Sequence, residues 1–331
     1  MDIAVIVAGG VTETLHATPL LRTVRAGEPE ARIVLLCPAT AAALWGGLPG
    51  VDQTLPLTAL DGIPSLADGI TVWAQLRRRR LDAVLLCSQL ASLRLAAYMA
   101  AVPRRLGPSG GASACLLTDR GAAAPGDSPV NAWLRLASLL GIGGQLHETR
   151  FEPGDEARAR AARLLDEHCG HDSRIWVALA PGSGTVQGDG LGLDWHPERY
   201  ALLANAIAQR SGAQVILVGT PEERPGVEAA KLDVGVGVVD FSAERDLLVT
   251  AAIISRCDVL IAADGPLLHL AAAVGTRAVG LYGPTSGAIW GPYGDEHRVL
   301  QALPATADGD GGALMDRIRV EDVLAALDTV M

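Results

Sequence analysis

The amino-acid sequence predicts an α/β fold of two doubly wound, Rossmann-like domains whose strands end at a common cleft. Short apolar runs alternate with helix-length segments in both halves of the 331-residue chain, which is the pattern of parallel sheets joined by crossover helices. A charged, helix-forming stretch without a strand pattern lies between the halves. We therefore place an N-terminal domain at 1–160, a C-terminal domain at 172–312, and a last helix at 316–331 that packs back toward the first domain.

The first half contains three clear strand patterns and one weaker pattern. The strands are DIAVIVAG, ARIVLLCP and LDAVLLCS, with RRLGP as a possible later one. TPLLRTVRAGEP and ITVWAQLRRRR are predicted helices. The arginine run 77–80 favours a solvated helix end, and an acceptor-binding patch is the minority interpretation.

The second half repeats the alternation. Its predicted strands are RIWVALAPG, AQVILVGT, VGVVDF, DVLIAAD and RAVGLYGP. Helices are predicted near PERYALLANAIAQRSG, RPGVEAAKL and ERDLLVTAAIISRC, and VEDVLAALDTV has the apolar spacing of a final helix with one buried face. Each half can therefore bury its own sheet.

Composition and charge argue against several classes of protein. Residues 1–150 hold 13 Lys+Arg against 11 Asp+Glu, whereas 151–331 hold 14 against 26, a balance that argues against nucleic-acid binding. Lys231 is the only lysine and no P-loop motif occurs. The five cysteines lack metal-ligand spacing. Without an apolar run of roughly 18 to 20 residues, no integral membrane segment is expected, and the predicted location is cytoplasmic.

Three loops that follow strands of the second half are candidates for binding a phosphorylated ligand. They are 180–184, 219–223 and 264–266, and their small residues leave backbone N–H groups open to phosphate oxygens. The candidate binding residues are Gly182, Ser183, Gly184, Thr220, Glu223, Asp264, Gly265 and His269. Glu223 would accept hydrogen bonds from ribose hydroxyls, or is a solvated surface glutamate. The segment 264–284 reads equally as a phosphate-binding turn and as a buried αβ unit.

The loop after the first strand carries a candidate base. Gly9, Gly10 and Thr12 lead to Glu13, at the start of a helix that also carries His16. A carboxylate in this position is a helix cap in one interpretation and the base that deprotonates an acceptor hydroxyl in the other. His16 would orient that carboxylate or fill an interface.

Taken together, these segments resemble the heptosyltransferase family of glycosyltransferases, family 9, over nearly the whole chain. TETLHATPLLRTVRAGEPEARIVLL is similar to the family's first loop, helix and second strand. LAPGSG, WHPERYALLANAI, VILVGTPEER, DGPLLHLAAAVGTRAVGLYGPT and WGPYG are similar to its donor domain, in the right order. The resemblance implies a GT-B fold and an inverting, metal-independent transfer without a cofactor. It also implies a nucleoside diphosphate sugar donor, ADP-heptose.

The sequence departs from the family pattern at three places. The family's catalytic aspartate falls on Glu13, and its phosphate-binding Ser/Thr-Gly pair falls on Gly265 and Pro266. The lysine two residues before the family's Trp-Pro falls on Leu193. Loss of that cation removes a contact to the diphosphate that is typically worth about 1.5 to 3 kcal/mol. Arg245, or an arginine of the first domain, is a candidate replacement.

Three functions remain open at this stage. The leading one is an inverting glycosyltransferase that moves a heptose-like sugar to a hydroxyl or amine of a glycan, lipid-linked or small-molecule acceptor. The second is a nucleotide-sugar epimerase or hydrolase of the same architecture. The third is a catalytically degenerate nucleotide-sugar-binding protein, which the altered phosphate loop and the missing lysine favour.

Overall fold

The computed structural model describes residues 1–122, 124, 126–169, 175–182, 193–210, 213–220, 223–231, 233–234, 237–303 and 314–331. The chain divides into two compact units, Met1–Glu152 and Pro153–Met331. Each unit contains one six-stranded sheet in which every strand pair is parallel. The predicted α/β class is confirmed.

The first unit contains strands β1 to β6 and helices α1 to α5. The strands are β1 (Asp2–Ile6), β2 (Arg32–Pro38), β3 (Gln53–Leu57), β4 (Ala83–Leu86), β5 (Arg104–Pro108) and β6 (Asp119–Gly121). The helices are α1 (Val11–His16), α2 (Thr18–Gly27), α3 (Leu66–Arg77), α4 (Ala91–Met99) and α5 (Pro129–Leu139). The strand order is β3-β2-β1-β4-β5-β6.

The second unit contains strands β7 to β12 and helices α6 to α12. The strands are β7 (Ile175–Ala180), β8 (Ala213–Leu217), β9 (Val238–Asp240), β10 (Val259–Ala263), β11 (Arg277–Tyr282) and β12 (Arg298–Gln301). The helices are α6 (Asp155–His168), α7 (Pro197–Ala208), α8 (Arg224–Lys231), α9 (Leu247–Ile254), α10 (Pro266–Val274), α11 (Gly287–Trp290) and α12 (Val320–Val330). The order β12-β11-β10-β7-β8-β9 is the same winding as in the first unit.

The central strands form because both of their faces are covered by helices. Every residue of β10, VLIAA, is buried, and β1 is buried from its second residue onward. Parallel strands of this kind read as continuous apolar runs, because no face is left for polar side chains. The sheets thereby provide rigid frames whose carboxyl edges carry the loops of interest.

Two helices belong to the second unit by their packing. Helix α6, whose first residues fall within the predicted N-terminal domain, packs on α9. Helix α12 buries Val323, Leu327 and Val330 in the core of the second unit, against α7, β11 and β12. That α12 also packs toward the N-terminal domain stays a prediction.

Candidate active site

Both sheets have a topological switch point where neighbouring strands lead to crossovers in opposite directions. In the first unit this point lies between β1 and β4, and in the second between β7 and β10. Ligands of doubly wound sheets bind outside the carboxyl ends of the strands at such points. The Glu13 loop follows β1, and the Gly182 and Asp264 loops follow β7 and β10. These three loops therefore lie at the sheet edges where doubly wound sheets bind ligands, and the binding roles of their residues stay predictions.

Glu13 folds back over its own loop. Its Oε2 accepts a hydrogen bond of 2.8 Å from the backbone N–H of Gly10, which is the N-cap of α1. A Cβ atom on Gly9 would lie 2.5 Å from the carboxyl carbon of Glu13, and Gly9 has φ of +125°. The loop therefore requires glycine at position 9, both for its backbone conformation and for the space that the carboxylate occupies.

The same loop is fixed from outside by backbone hydrogen bonds. Gly9 donates to the carbonyl of Leu60, and Gly62 donates to the carbonyl of Gly9, at 2.9 and 2.8 Å. The carboxylate of Asp61 accepts from both the backbone N–H and the hydroxyl of Thr40, at 3.0 and 2.9 Å. The Glu13 carboxylate thus sits on a loop with little freedom to shift, which is the condition for a preorganised base.

His16 and Thr12 differ in their surroundings. His16 is 2% exposed, and its ring centroid lies 6.4 Å from that of Trp133 on α5. These surroundings are consistent with the interpretation in which His16 fills an interface between packed elements. Thr12 is half-buried in the first turn of α1. A catalytic contribution from either residue stays a prediction.

In the second unit, Asp264 and Gly265 form the start of α10. Gly265 is the N-cap in an extended conformation, and Pro266 is the first helical residue. Proline is well suited to this position because the N–H that it lacks has no partner within the helix. His269, 3% exposed, places Nε2 3.9 Å from Oδ1 of Asp264. The segment is both a buried αβ unit and a helix N-terminus at the sheet edge, so the two interpretations of its sequence are compatible.

Gly182 and Glu223 are packed against each other. Gly182 has φ of +139°, and a Cβ atom there would lie 3.0 Å from Cβ and Cγ of Glu223. Oε2 of Glu223 accepts a 2.7 Å hydrogen bond from the backbone N–H of Thr220, and the residue is 3% exposed. The interpretation of Glu223 as a solvated surface glutamate is therefore wrong. The side chain is a fixed part of the loop after β8.

Two buried hydroxyl groups lie in the loops after β8 and β9. Oγ1 of Thr220 and Oγ of Ser242 are buried and have no hydrogen-bond partner within the described ranges. Ser242 lies beside Gly219, where a Cβ atom would come within 3.4 Å of the serine Cβ. Buried polar groups are usually hydrogen-bonded, so a ligand with polar edges would satisfy them. Thr220 was predicted from its place after a strand, whereas Ser242 was not predicted from the sequence.

The structure also locates the departures from the family pattern. Leu193 is 9% exposed and Arg245 is exposed in the turn after β9. The neighbour of Arg245, Glu244, is paired with Arg160, so the arginine lies on a defined turn. Ser183 and Gly184 lie outside the described residues. The binding roles assigned from the sequence to all these positions stay predictions.

Tyr200 connects α7 to the end of β10. Its hydroxyl accepts a 3.0 Å hydrogen bond from the backbone N–H of Ala263, the residue before Asp264. Tyr200 is 1% exposed and packs edge-on against Trp195, with ring centroids 4.9 Å apart. Burial raises the pKa of the phenol. Tyr200 therefore fixes the position at which the Asp264 loop leaves the sheet.

Arg94 is a second residue near the candidate site that was not predicted from the sequence. It is completely buried, and its guanidinium donates to the carbonyls of Pro108 and Gly110 and to the hydroxyl of Ser113, at 2.6, 2.7 and 3.0 Å. Burial, with the nearby charge of Arg120, lowers its pKa. Arg94 thereby holds the loop at the carboxyl end of β5, on the same edge as Glu13.

Neither a metal cluster nor a membrane helix was found in the described part of the chain. No three His, Cys, Asp or Glu side chains are grouped there so that they could hold a metal ion. Within the same ranges, no helix is both long and apolar enough to cross a membrane.

Comparison with known proteins identifies the family. The profile of glycosyltransferase family 9 (heptosyltransferase) matches residues 70–310, which is more than half of the chain. The chain belongs to this family. It is accordingly a glycosyltransferase of the heptosyltransferase type, as predicted.

Individual relatives agree with this assignment. Lipopolysaccharide heptosyltransferase 2 of Escherichia coli K12 is 24% identical over 313 residues, covering 92% of this chain and 88% of the relative. The glycosyl transferase family 9 structure from Veillonella parvula has a TM-score of 0.83 at 19% identity, covering 99% and 96% of the two chains. E. coli heptosyltransferase WaaC with ADP has a TM-score of 0.74 at 17% identity and full coverage of both chains. These structures confirm the GT-B fold class.

Proposed function

We propose that this protein transfers a heptose-like sugar from ADP-heptose to an acceptor hydroxyl or amine with inversion at the anomeric carbon. The observation that carries the proposal is the order of the candidate donor residues along one sheet edge. Asp264 and Gly265 follow β10, Gly182 follows β7, Thr220 and Glu223 follow β8, and Ser242 and Arg245 follow β9. A nucleotide laid along this edge would cross three strand spacings, about 14 Å.

The sheet edge offers a binding group for each part of a nucleoside diphosphate: the diphosphate, the ribose and the base. The N-terminus of α10 presents backbone N–H groups and the positive end of the helix dipole to the diphosphate. Farther along the edge, beyond the Gly182 loop, the Glu223 carboxylate would accept hydrogen bonds from ribose hydroxyls, and the hydroxyl of Ser242 would contact the base. The relative WaaC was solved with ADP, which supports adenine as that base.

The acceptor is activated by Glu13. As the acceptor oxygen attacks the anomeric carbon, its proton moves to the carboxylate and the bond from that carbon to the diphosphate oxygen breaks. Negative charge then grows on the diphosphate, where α10 stabilises it. Glutamate can replace the family's aspartate because the bond from Gly10 folds its longer side chain back onto the loop.

The base assignment is tested with Glu13→Gln. The amide oxygen still accepts from the Gly10 N–H, so folding is preserved while the proton acceptor is lost. We expect kcat to fall by roughly 10²- to 10⁴-fold with an unchanged dissociation constant for ADP. Glu30→Gln, at an exposed position in the same unit, is the matched control. Near wild-type turnover by Glu13→Gln would rule out the base role.

The donor is tested by thermal shift with ADP, UDP, GDP, dTDP and CDP and their sugars. A ligand at 100 times its dissociation constant stabilises a protein by about 2.7 kcal/mol. We expect ADP and ADP-heptose to give the largest shift. A larger shift with UDP or dTDP would overturn the donor assignment. Tight ADP binding without turnover over a broad acceptor panel would instead establish the degenerate nucleotide-binding alternative.

A further inference from the structure

An apolar groove runs between α3 and α4 on the first unit. It has a volume of about 270 Å³, and its walls are Leu66, Ile70 and Trp73 of α3 with Leu95, Ala96 and Met99 of α4. The two helices approach closely because Gly69 faces the backbone of Ser92, whose carbonyl oxygen would lie 3.0 Å from a Cβ atom on the glycine. The floor of the groove is therefore backbone and small side chains.

The side chains around the groove are unusually exposed for their size. Leu66, Ile70 and Met99 are 69%, 65% and 59% exposed. Leu66, Ile70 and Trp73 lie on one face of α3 because they are separated by four and three residues. Contiguous apolar exposure of this kind marks an interaction surface, since scattered apolar side chains do not form a groove.

The C-terminal end of this apolar stripe is strongly basic. Arg77 continues the stripe one turn after Trp73, and Arg78 and Arg80 are exposed beside it. No carboxylate within the described ranges pairs with these three arginines. Burial, with smaller contributions from the positive charges of Arg32 and Arg78, lowers the pKa of Arg79.

The acidic residues of this region are already engaged. Between residues 63 and 105 the sequence has seven arginines and two aspartates. Asp68 completes the N-terminal cap of α3 with Ser65, and Asp82 accepts the backbone N–H of Asp2. Because arginines outnumber aspartates here, the segment keeps an excess of positive charge that a partner would neutralise.

We propose that the α3–α4 face docks the first unit onto the surface of an anionic lipid bilayer. The exposed apolar side chains enter the boundary between headgroups and acyl chains, with Trp73 at the interface, and Arg77, Arg78 and Arg80 contact anionic headgroups. Apolar burial together with a basic cluster is the combination that gives stable peripheral binding.

The charge pattern favours a bilayer over a second copy of the chain. Two such faces related by a two-fold axis would bring both arginine clusters into one interface, to which the segment 63–105 of each copy contributes two aspartates against seven arginines. An anionic bilayer instead supplies negative charge over the whole area of contact. The second unit carries the excess of acidic residues, so electrostatic attraction to such a surface is confined to the first unit.

The test is flotation of the purified full-length protein with vesicles of phosphatidylcholine, with and without phosphatidylglycerol. We expect binding only when phosphatidylglycerol is present. Neutralising Arg77, Arg78 and Arg80 together to glutamine should lower the partition coefficient about a hundredfold, since each arginine near an anionic surface contributes about fivefold. Ile70→Glu should abolish flotation.

Matched control variants distinguish binding through this surface from non-specific binding to vesicles. Leu202→Glu changes a 59% exposed leucine on α7, and Arg163→Gln changes an exposed arginine on α6; both should float like the wild type. Equal binding to both vesicle types, or unchanged flotation of Ile70→Glu, would overturn the proposal. So would a wild-type dimer in light scattering that Ile70→Glu dissociates, because the face would then be a protein interface.

Discussion

Several residues near the candidate site have structural roles that fix its geometry. Glu13 accepts a hydrogen bond from Gly10, the N-cap of α1, and is also the proposed base; one carboxylate oxygen serves the first role. Tyr200 is a core residue of α7 whose hydroxyl sets the position of Ala263, next to Asp264. In both cases a single side chain stabilises its local structure and also positions a proposed reacting or binding group. A substitution at either residue should therefore change both stability and activity.

His297 gives a pH dependence that can be measured at the level of one residue. It is 7% exposed, and its Nδ1 accepts a 3.1 Å hydrogen bond from the backbone N–H of Ala278. Its Nε2 lies 3.3 Å from Oε1 of Glu296. Burial, with a smaller contribution from the charge of His269, lowers its pKa below 6.5, although Glu296 opposes this.

The sign of the effect follows from the lowered pKa. The unfolded chain binds a proton near pH 6.5 and the folded chain binds it only at lower pH, so stability falls as the pH drops below about 6.5. We expect the wild type to lose unfolding free energy between pH 7 and pH 5.5 through this group. His297→Asn keeps an acceptor near Ala278 and does not titrate. Urea unfolding at both pH values should show a smaller loss of unfolding free energy for the variant than for the wild type. An identical loss would mean that other titrating groups cause the pH dependence.

At the scale of elements, the sequence predicted the interior of each sheet and one edge strand, β9, but missed the other three edge strands. The central strands were evident because burial on both faces makes them continuous apolar runs. Strands β3 (QTLPL), β6 (DRG) and β12 (RVLQ) lie at the sheet edges, and their residues are mostly half-buried or exposed. Half-covered strands of mixed polarity carry no such signal, and the proline in β3 argues against a strand although edge strands tolerate it.

The candidate site was predictable to the same limited extent. Loops that follow predicted strands could be placed at one sheet edge because parallel strands share their direction. The contact between Tyr200 and Ala263 joins residues 63 positions apart, and the bonds of Arg94 likewise depend on tertiary packing. No local pattern encodes such contacts, so these residues emerge only from the folded structure.

The start of α10 yields a prediction about an element. Pro266 removes one N–H from a helix N-terminus that is proposed to bind diphosphate. Pro266→Gly restores that donor, and a hydrogen bond to a charged group is worth about 1.5 kcal/mol or more. We expect ADP affinity to rise about tenfold in calorimetric titration. Pro129→Gly makes the same change at the first turn of α5 in the first unit and should leave ADP affinity unchanged. No gain from Pro266→Gly would mean that the diphosphate does not approach this helix end.

At the scale of the whole molecule, the chain is two similarly wound units with separate cores. One core cluster contains residues from Ala4 to Leu117 and another contains residues from Val177 to Val330. The tryptophans divide equally, with positions 45, 73 and 133 in the first unit and 176, 195 and 290 in the second. Stability and ligand binding can therefore be followed in each unit of the intact protein.

We expect the intact protein to unfold in two calorimetric transitions, because each unit buries its own sheet. The proposed ADP-binding residues all lie in the second unit of 153–331. ADP at 100 times its dissociation constant stabilises the unit that binds it by about 2.7 kcal/mol. It should therefore raise the midpoint temperature of the second unit alone, by roughly 5 to 10 °C. Replacing the tryptophans of one unit with phenylalanine lets fluorescence assign each transition. A single transition that ADP shifts as a whole would show that the two cores unfold cooperatively, and a shift confined to the first unit would move the nucleotide site there.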